Sequence, residues 1–444
     1  MYDLVIEGRV LAGPSIVDAF VCIKDQRIVK IRRTMPGSGE YGEAHRSPRS
    51  IILPGAIDTH VHFRDPGSTA KEDFTTGSVS AAFGGVTTVV DMPNTRPPTI
   101  DQATLLGKEQ IASRGSVIDY GLNLAIFNGS DLLAVDTLFR GKGEVPAPAG
   151  LKAFLGETTG SLVLDPISSL SKWAVLLGET GAVMALHAED GSLFEPARNP
   201  EKRKGVLAEH HRTRPPVAEA EAIRKAVDAL GGHANMAHVL HVSTEKGLEA
   251  ASVSSATVEV TPHHLLLDVK WGERTLENEA MGKVNPPLRT ASDRSVLWKG
   301  IFEGKVQTVG SDHAPHLLEE KMDGLLSPSG IPGVETMIPL LLNEVAGRRM
   351  DLGMLVKLVS SGPAERYSLP GRGALREGNF ADLMIVDMRS PRRIRSDDLH
   401  SKCGWTPYEG MPGIFPSRVY SRGELLVEDE NLSARPGRGR NIRG

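Results

Sequence analysis

The sequence predicts a (β/α)8 barrel over residues 54–372, with a small β-sandwich domain formed by both termini, residues 1–53 and 373–444. Three observations carry that prediction. Apolar and polar residues alternate with period two at both ends, in 1–11, 18–33 and 50–55 and again in 373–390 and 416–429. Between them, short apolar runs alternate with helix-period stretches, which is the pattern of a parallel sheet. Polar residues capable of chemistry gather at the C-terminal ends of those runs, the face on which a barrel carries its active site.

Taken in order, the apolar runs of the middle are 86–92, 119–127, 150–156, 182–190, 236–243, 257–264 and 306–313, preceded by Ile51–Leu53. Helix-period stretches such as 73–85, 215–232 and 334–347 lie between them. Roughly eight such units fit a closed barrel better than an open sheet. The glycines, 47 of 444 residues, sit singly between these runs, as tight strand–helix connections require.

Composition excludes several function classes. Lys plus Arg is 51 and Asp plus Glu is 55, for a net charge of −4, so no basic field points to nucleic acid. Two cysteines, Cys22 and Cys403, exclude a disulfide framework and point to a reducing, cytoplasmic setting. No run approaches about 18 apolar residues, so no membrane span is expected, and the first residues do not read as a leader. The tail 433–444 has four arginines and no aromatic, and reads as a solvated, frayed terminus.

The strongest chemical signal is Asp58-Thr59-His60-Val61-His62-Phe63-Arg64, directly after a strand and the turn Pro54-Gly55. With a side-chain period of two, His60 and His62 share one side of the strand and can converge on a metal. His187 and His241 each end a further apolar run, and Asp312 follows another. His238, three residues before His241, falls on the opposite side and reads as packing or as support behind a ligand. Lys152 lies in the apolar run Gly150-Leu151-Lys152-Ala153-Phe154. A buried lysine must be neutralised or paired, and two readings stay open. The side chain snorkels to solvent, or CO2 has carbamylated it into an anion able to bridge two metals. Arg64, Asn94 and His316 suit a substrate with an anionic end, because Arg offers a planar fork and Asn both a donor and an acceptor. His263 and His264 carry no assignment.

Together these segments resemble the amidohydrolase superfamily, within it the cyclic amidases, and among these the dihydroorotase family. The resemblance rests on Asp58–Gly67, with Asp65 where Glu is usual, on Gly85-Val86-Thr87-Thr88 with Asp91-Met92-Pro93-Asn94-Thr95, and on Gly310-Ser311-Asp312-His313-Ala314-Pro315-His316 with Lys321 downstream. Asn285-Pro286-Pro287-Leu288-Arg289, Gly333-Val334-Glu335-Thr336 and Trp405-Thr406-Pro407-Tyr408-Glu409-Gly410 follow in family order. The resemblance implies two zinc ions, one on His60, His62 and Asp312 and one on His187 and His241, bridged by carbamylated Lys152. It implies that His62, Arg64, Asn94, Asn285, His316, Ser329 and Gly330 bind the substrate, dihydroorotate or N-carbamoyl-aspartate. Hydroxide would attack the ring carbonyl, and Asp312 would carry its proton to the leaving ring nitrogen. A homodimer is expected. The alternatives are another cyclic amidase, such as an allantoinase or dihydropyrimidinase, and an inactive paralogue. Arg64 favours a carboxylated ring over the first, and the complete ligand set speaks against the second.

Overall fold

The computed structural model describes residues 1–12, 15–142, 145–157, 162–198 and 204–444. Eight parallel segments form the barrel wall: Ala56–Val61, Val86–Asp91, Asp119–Leu122 continuing as Leu124–Ile126, Leu151–Phe154, Met184–His187, Ala237–Val239, Thr257–Val260 and Thr308–Val309. The wall closes where the His62 N–H donates to the His313 carbonyl at 2.8 Å. Each segment is followed by a helix, for example Phe74–Phe83, Gln102–Gly115, Pro216–Leu230 and Val334–Ala346. Alternation within the strands decides what each face meets. Leu151 and Ala153, Met184 and Leu186, Ala237 and Val239 pack in the main apolar core. The residues between them point the other way, so Lys152, Ala185, His238 and Glu259 face the barrel interior. Lys152 lies level with Ala125 and Ala185 on the adjacent strands, and these short side chains leave room around it.

The two ends share one sheet of eight strands. Tyr2–Ala12 pairs antiparallel with Ser15–Lys24 and parallel with Tyr41–Pro54. Tyr41–Pro54 in turn pairs with Leu383–Val386, from the other end of the chain. The sheet curls, because Ile28 and Gln26 bond to Asn379, Gly378 and Ala381, and its two halves enclose Ile6, Val21, Ile28, Ile52, Leu383 and Tyr420. Its other face is apolar too. Ile51, Leu53, Met384, Val419 and Val427 pack into the barrel core, so one strand, Tyr41–Pro54, serves both cores by alternation.

Two segments between 373 and 444 leave this sheet. Residues 392–413 cross to the barrel, where Ile394, Trp405 and Tyr408 pack with Leu207, Leu288 and Ile331. The tail corrects the expectation of a frayed terminus. Gly437 and Gly439 donate to the Ser116 carbonyl, the Arg440 N–H donates to the Asp119 carboxylate while its carbonyl accepts from the Tyr120 N–H, and Ile442 donates to the Tyr120 carbonyl. The Arg443 guanidinium donates to the carbonyls of Ala149 and Tyr367 at 3.1 and 2.9 Å. The physical reason is a gap in the wall. Among the described residues of the wall, Asp119–Leu122 has one strand partner, Val86–Asp91, and strand pairing with Leu151–Phe154 begins at Leu124. The unmatched backbone of Tyr120 needs partners, and the tail supplies them. No helix is long and apolar enough to cross a membrane among the described residues.

Deleting residues 435–444 removes these bonds, each contributing about 1 kcal/mol net. The truncated protein should unfold at a clearly lower temperature than the full chain. An unchanged thermal midpoint would contradict a role for the tail in closing the wall.

Candidate metal centre and active site

The cavity at the C-terminal ends of the strands encloses about 390 Å3 of empty space. It is lined by His60, His62, Arg64, Asn94, Lys152, His187, His241, Asn285, Asp312, Ser329 and Gly330, together with Phe154 and Ala314. Of the residues singled out from the sequence, His316 stands just behind this lining, against Arg64 and Ser329. Ligand-bearing atoms of His60, His62 and Asp312 all lie within 4.8 Å of one another.

Local backbone places these groups. His60 and His62 come off one face of their strand, with ring centroids 5.4 Å apart. His187 follows Ala185 by two residues and also points inward. His241 does not obey alternation, which puts His238 and Leu240 on the inner face. A left-handed φ of 39° at His241 turns it toward His187. His238 therefore does not face away from the site. It sits deeper, against Thr257, Thr308 and Glu259. Asp312 and Arg64 are also left-handed, with φ of 46° and 61°. Such conformations are uncommon outside glycine and cluster where the surrounding structure holds a functional side chain in place.

The donor set fits divalent metal. The Nδ1 atoms of His60 and His62 lie 2.7 Å from Glu259 Oε1 and Asn94 Oδ1, respectively. A neutral ring that donates from Nδ1 turns a lone pair outward at Nε2. Both Nε2 atoms meet Asp312 Oδ1, at 3.3 and 3.2 Å. Three acceptors thus converge, an arrangement that a cation satisfies. On the other side His187 Nδ1 and His241 Nε2 are 2.9 Å apart, and His187 Nε2 meets Glu189 Oε2 at 3.0 Å. Lining the same cavity, Lys152 Nζ is fully buried and has no hydrogen-bond partner among the described residues.

Electrostatics point the same way. Burial pushes His62 down to about 3 and His241 well below the ordinary histidine range, so both are neutral, as ligands must be. Burial alone would raise Asp312; protons on the Nε2 atoms of His60 and His62 more than offset it and hold the carboxyl well below its usual range, a place that a bound cation would fill when both rings are neutral. Burial pushes Lys152 down to about 7, against the pull of Asp312 and Glu259.

One wall of the cavity is cationic. The Arg64 guanidinium is buried, donates from Nε to the Pro315 carbonyl at 3.1 Å, and lies 3.1 Å from His316 Nε2. Beside His316, Gly330 has a φ of 137°, and a Cβ there would stand 2.5 Å from the Ala314 carbonyl. Only glycine brings that backbone so close to the cavity. The loop 317–332 is tied by two lysines. Lys283 donates to the carbonyls of Leu325 and Ser327, and Lys321 to those of Lys283, Pro328 and Gly330.

Sequence reasoning missed the carboxylates behind the histidines. Glu259 holds His60. Glu189 holds His187 and is itself gripped by Arg214. A signal existed in each case: an acid inside the apolar strand Thr257–Val260, and one two residues beyond His187. His264 contacts the Pro286 carbonyl beside Asn285, at 3.1 Å. His263 is buried, with neither ring nitrogen hydrogen bonded among the described residues, and the geometry gives it no role.

Removing the Glu259 charge should loosen the metal site without unfolding the barrel. Residues that orient a metal-binding histidine typically contribute 10–100-fold in metal affinity. Glu259→Gln should therefore weaken zinc binding by about that factor in a chelator competition. Affinity equal to the parent protein would show that the carboxylate does not support His60.

The chain is similar to known proteins along its whole length. A family model described as Amidohydrolase family matches residues 51–139. A dihydroorotase of Methanosarcina acetivorans is 36% identical, over 100% of this chain and 96% of the relative. A dihydroorotase of Pyrococcus furiosus is 35% identical, over 99% of this chain and 96% of the relative. Among solved structures, the L-hydantoinase (dihydropyrimidinase) from Arthrobacter aurescens superposes with a TM-score of 0.91 at 25% identity, over 100% of both chains. The dihydropyrimidinase from Brevibacillus agri gives a TM-score of 0.90 at 27% identity, over 100% of this chain and 98% of the other. With the barrel, the composite sheet and the cavity in hand, these full-length likenesses place the chain in the dihydroorotase family of the amidohydrolases.

Proposed function

We propose that this chain is a dihydroorotase, interconverting dihydroorotate and N-carbamoyl-aspartate in pyrimidine synthesis. The observation that carries the reading is Arg64, buried on the cavity wall beside His316 and facing the metal-ligand cluster. A buried guanidinium calls for an anion, and a ring carboxylate supplies one in fork geometry. The hydantoinase-like solved structures favour a second reading, a neutral cyclic amide on the same fold. A neutral ring offers the Arg64 fork no carboxylate to grip.

In hydrolysis, water adds across the ring C–N bond, its oxygen to the carbonyl carbon and its proton to the leaving nitrogen. Bound divalent metal supplies a Lewis acid for the carbonyl and lowers the pKa of water at the site. Asp312 accepts the water proton, because its neighbours keep it ionised, and returns it to the ring nitrogen. Arg64, Asn94 and His316 hold the carboxylate, while Asn285 and the backbone of Ser329 and Gly330 line the ring. Residues 1–53 and 373–444 form the supporting module, an assignment that the shared sheet supports. A cytoplasmic location and a homodimer go with the same reading.

The metal reading is two zinc ions, one on His60, His62 and Asp312 and the other on His187 and His241, with Lys152 carbamylated between them. The unpartnered buried amine supports it. A neutral amine forms an N–C bond to CO2 and releases one proton, and the resulting anion replaces an unpaired group by a ligand.

Three outcomes follow. The purified protein should turn over dihydroorotate in preference to hydantoin and allantoin. Arg64→Lys, which loses the fork, should cost about 10- to 100-fold in kcat/KM. Turnover of hydantoin alone would reject the assignment. With Lys152 pushed down to about 7, the ammonium prevails below that pH and the reactive amine above it. Uptake of isotopically labelled bicarbonate by metal-free protein should rise between about pH 6 and pH 8, whereas ordinary lysines stay protonated to about pH 10. Uptake that begins only at the higher range would contradict a primed Lys152.

A further inference from the structure

We propose that Lys71 is a positioning residue that fixes the tautomer of His316, so that this ring joins Arg64 in presenting an N–H to an anionic group in the cavity. The inference rests on the carboxylate-binding reading above and adds a residue to it.

The argument starts from donors and acceptors. Lys71 Nζ lies 3.1 Å from His316 Nδ1. An ammonium has three donors and no acceptor, so the nitrogen that faces it must offer its lone pair. The single proton of the neutral ring then sits on Nε2. From there it points to the Ser329 carbonyl, at 3.1 Å; Arg64 NH2, a donor 3.1 Å from the same nitrogen, favours the other tautomer, and Lys71 together with the Ser329 carbonyl outweighs it, two partners against one. Two donors, one on His316 and one on Arg64, thus converge. A carboxylate oxygen between them accepts from both.

Glu320 shows why Lys71 is needed. Its Oε1 holds Lys71 at 2.8 Å, and its Oε2 lies 3.5 Å from His316 Nδ1. Without the ammonium, this carboxylate at Nδ1 and the Arg64 donor at Nε2 act together and draw the ring proton to Nδ1. Nε2 then turns a lone pair toward the incoming carboxylate, and attraction becomes repulsion. The ring cannot swing away to escape the choice. His316 is 1% exposed, and its carbonyl accepts from Trp405 Nε1 at 2.7 Å. Lys71 itself is only partly exposed, on the loop between Arg64 and the helix Phe74–Phe83.

The test compares the parent protein with Lys71→Met and with Lys71→Met/Glu320→Gln. Nitrogen NMR of histidine-labelled holoenzyme without substrate reads the tautomer, the His316 signals being identified by their loss in His316→Gln. The parent should carry the proton on Nε2. Lys71→Met should carry it on Nδ1 and lose about 10- to 100-fold in kcat/KM for dihydroorotate, mainly through KM. In the double variant the Gln amide can donate to Nδ1, so the proton should return to Nε2 and much of the kcat/KM with it. A merely structural lysine gives no such rescue. A parent protein protonated on Nδ1, or a Lys71→Met protein with the parent tautomer and kcat/KM, would overturn the proposal. Absence of dihydroorotate turnover in the parent would instead reject the functional reading, since the tautomer is measured without substrate.

Discussion

The site is organised around one unfavourable fact: a lysine amine buried in the barrel with nothing to bond to. Lys152 is 0% exposed, flanked in register by alanines, and its Nζ is unpartnered among the described residues. A charged amine in such a place costs several kcal/mol unless it is neutralised or paired. Asp312 and Glu259 draw it toward the charged form, yet burial wins. A fold that keeps this group keeps it for chemistry that an uncharged, nucleophilic amine can perform.

Around that amine the chain arranges histidines, each with a support. His60 rests on Glu259, His62 on Asn94, and His187 on Glu189, which Arg214 secures. Each support fixes which ring nitrogen faces inward. Three of the inward groups, Arg64, His241 and Asp312, occupy left-handed backbone, at a cost of order 1–3 kcal/mol each. The apolar wall behind them and the curled sheet that buries Ile51, Leu53 and Met384 against it hold that strain in place.

Much of this was legible in the chain itself. Period-two alternation found the end strands, and the His-x-His pair followed from strand geometry alone. The kink at His241 was not legible, because alternation assigns it to the outer face and only the backbone turn reverses that. The carboxylate supports left only a weak trace, an acid inside the strand Thr257–Val260 and one two residues beyond His187, and neither spacing tells which histidine the carboxylate holds. The tail misled for a different reason. Its composition is that of a solvated terminus, while its docking depends on a gap in the barrel wall that no local pattern encodes.

The likenesses divide between dihydroorotases by sequence and hydantoinases by structure, which is expected when one scaffold serves related cyclic amides. What the family shares is the metal centre, and there the account is most exposed. Crystals of the active protein grown with zinc and bicarbonate, measured at the zinc absorption edge, test it directly. The account predicts two anomalous peaks, one among His60, His62 and Asp312 and one between His187 and His241, with density extending past Lys152 Nζ to join them. A single peak beside a bare lysine, in protein that turns over substrate, would contradict it.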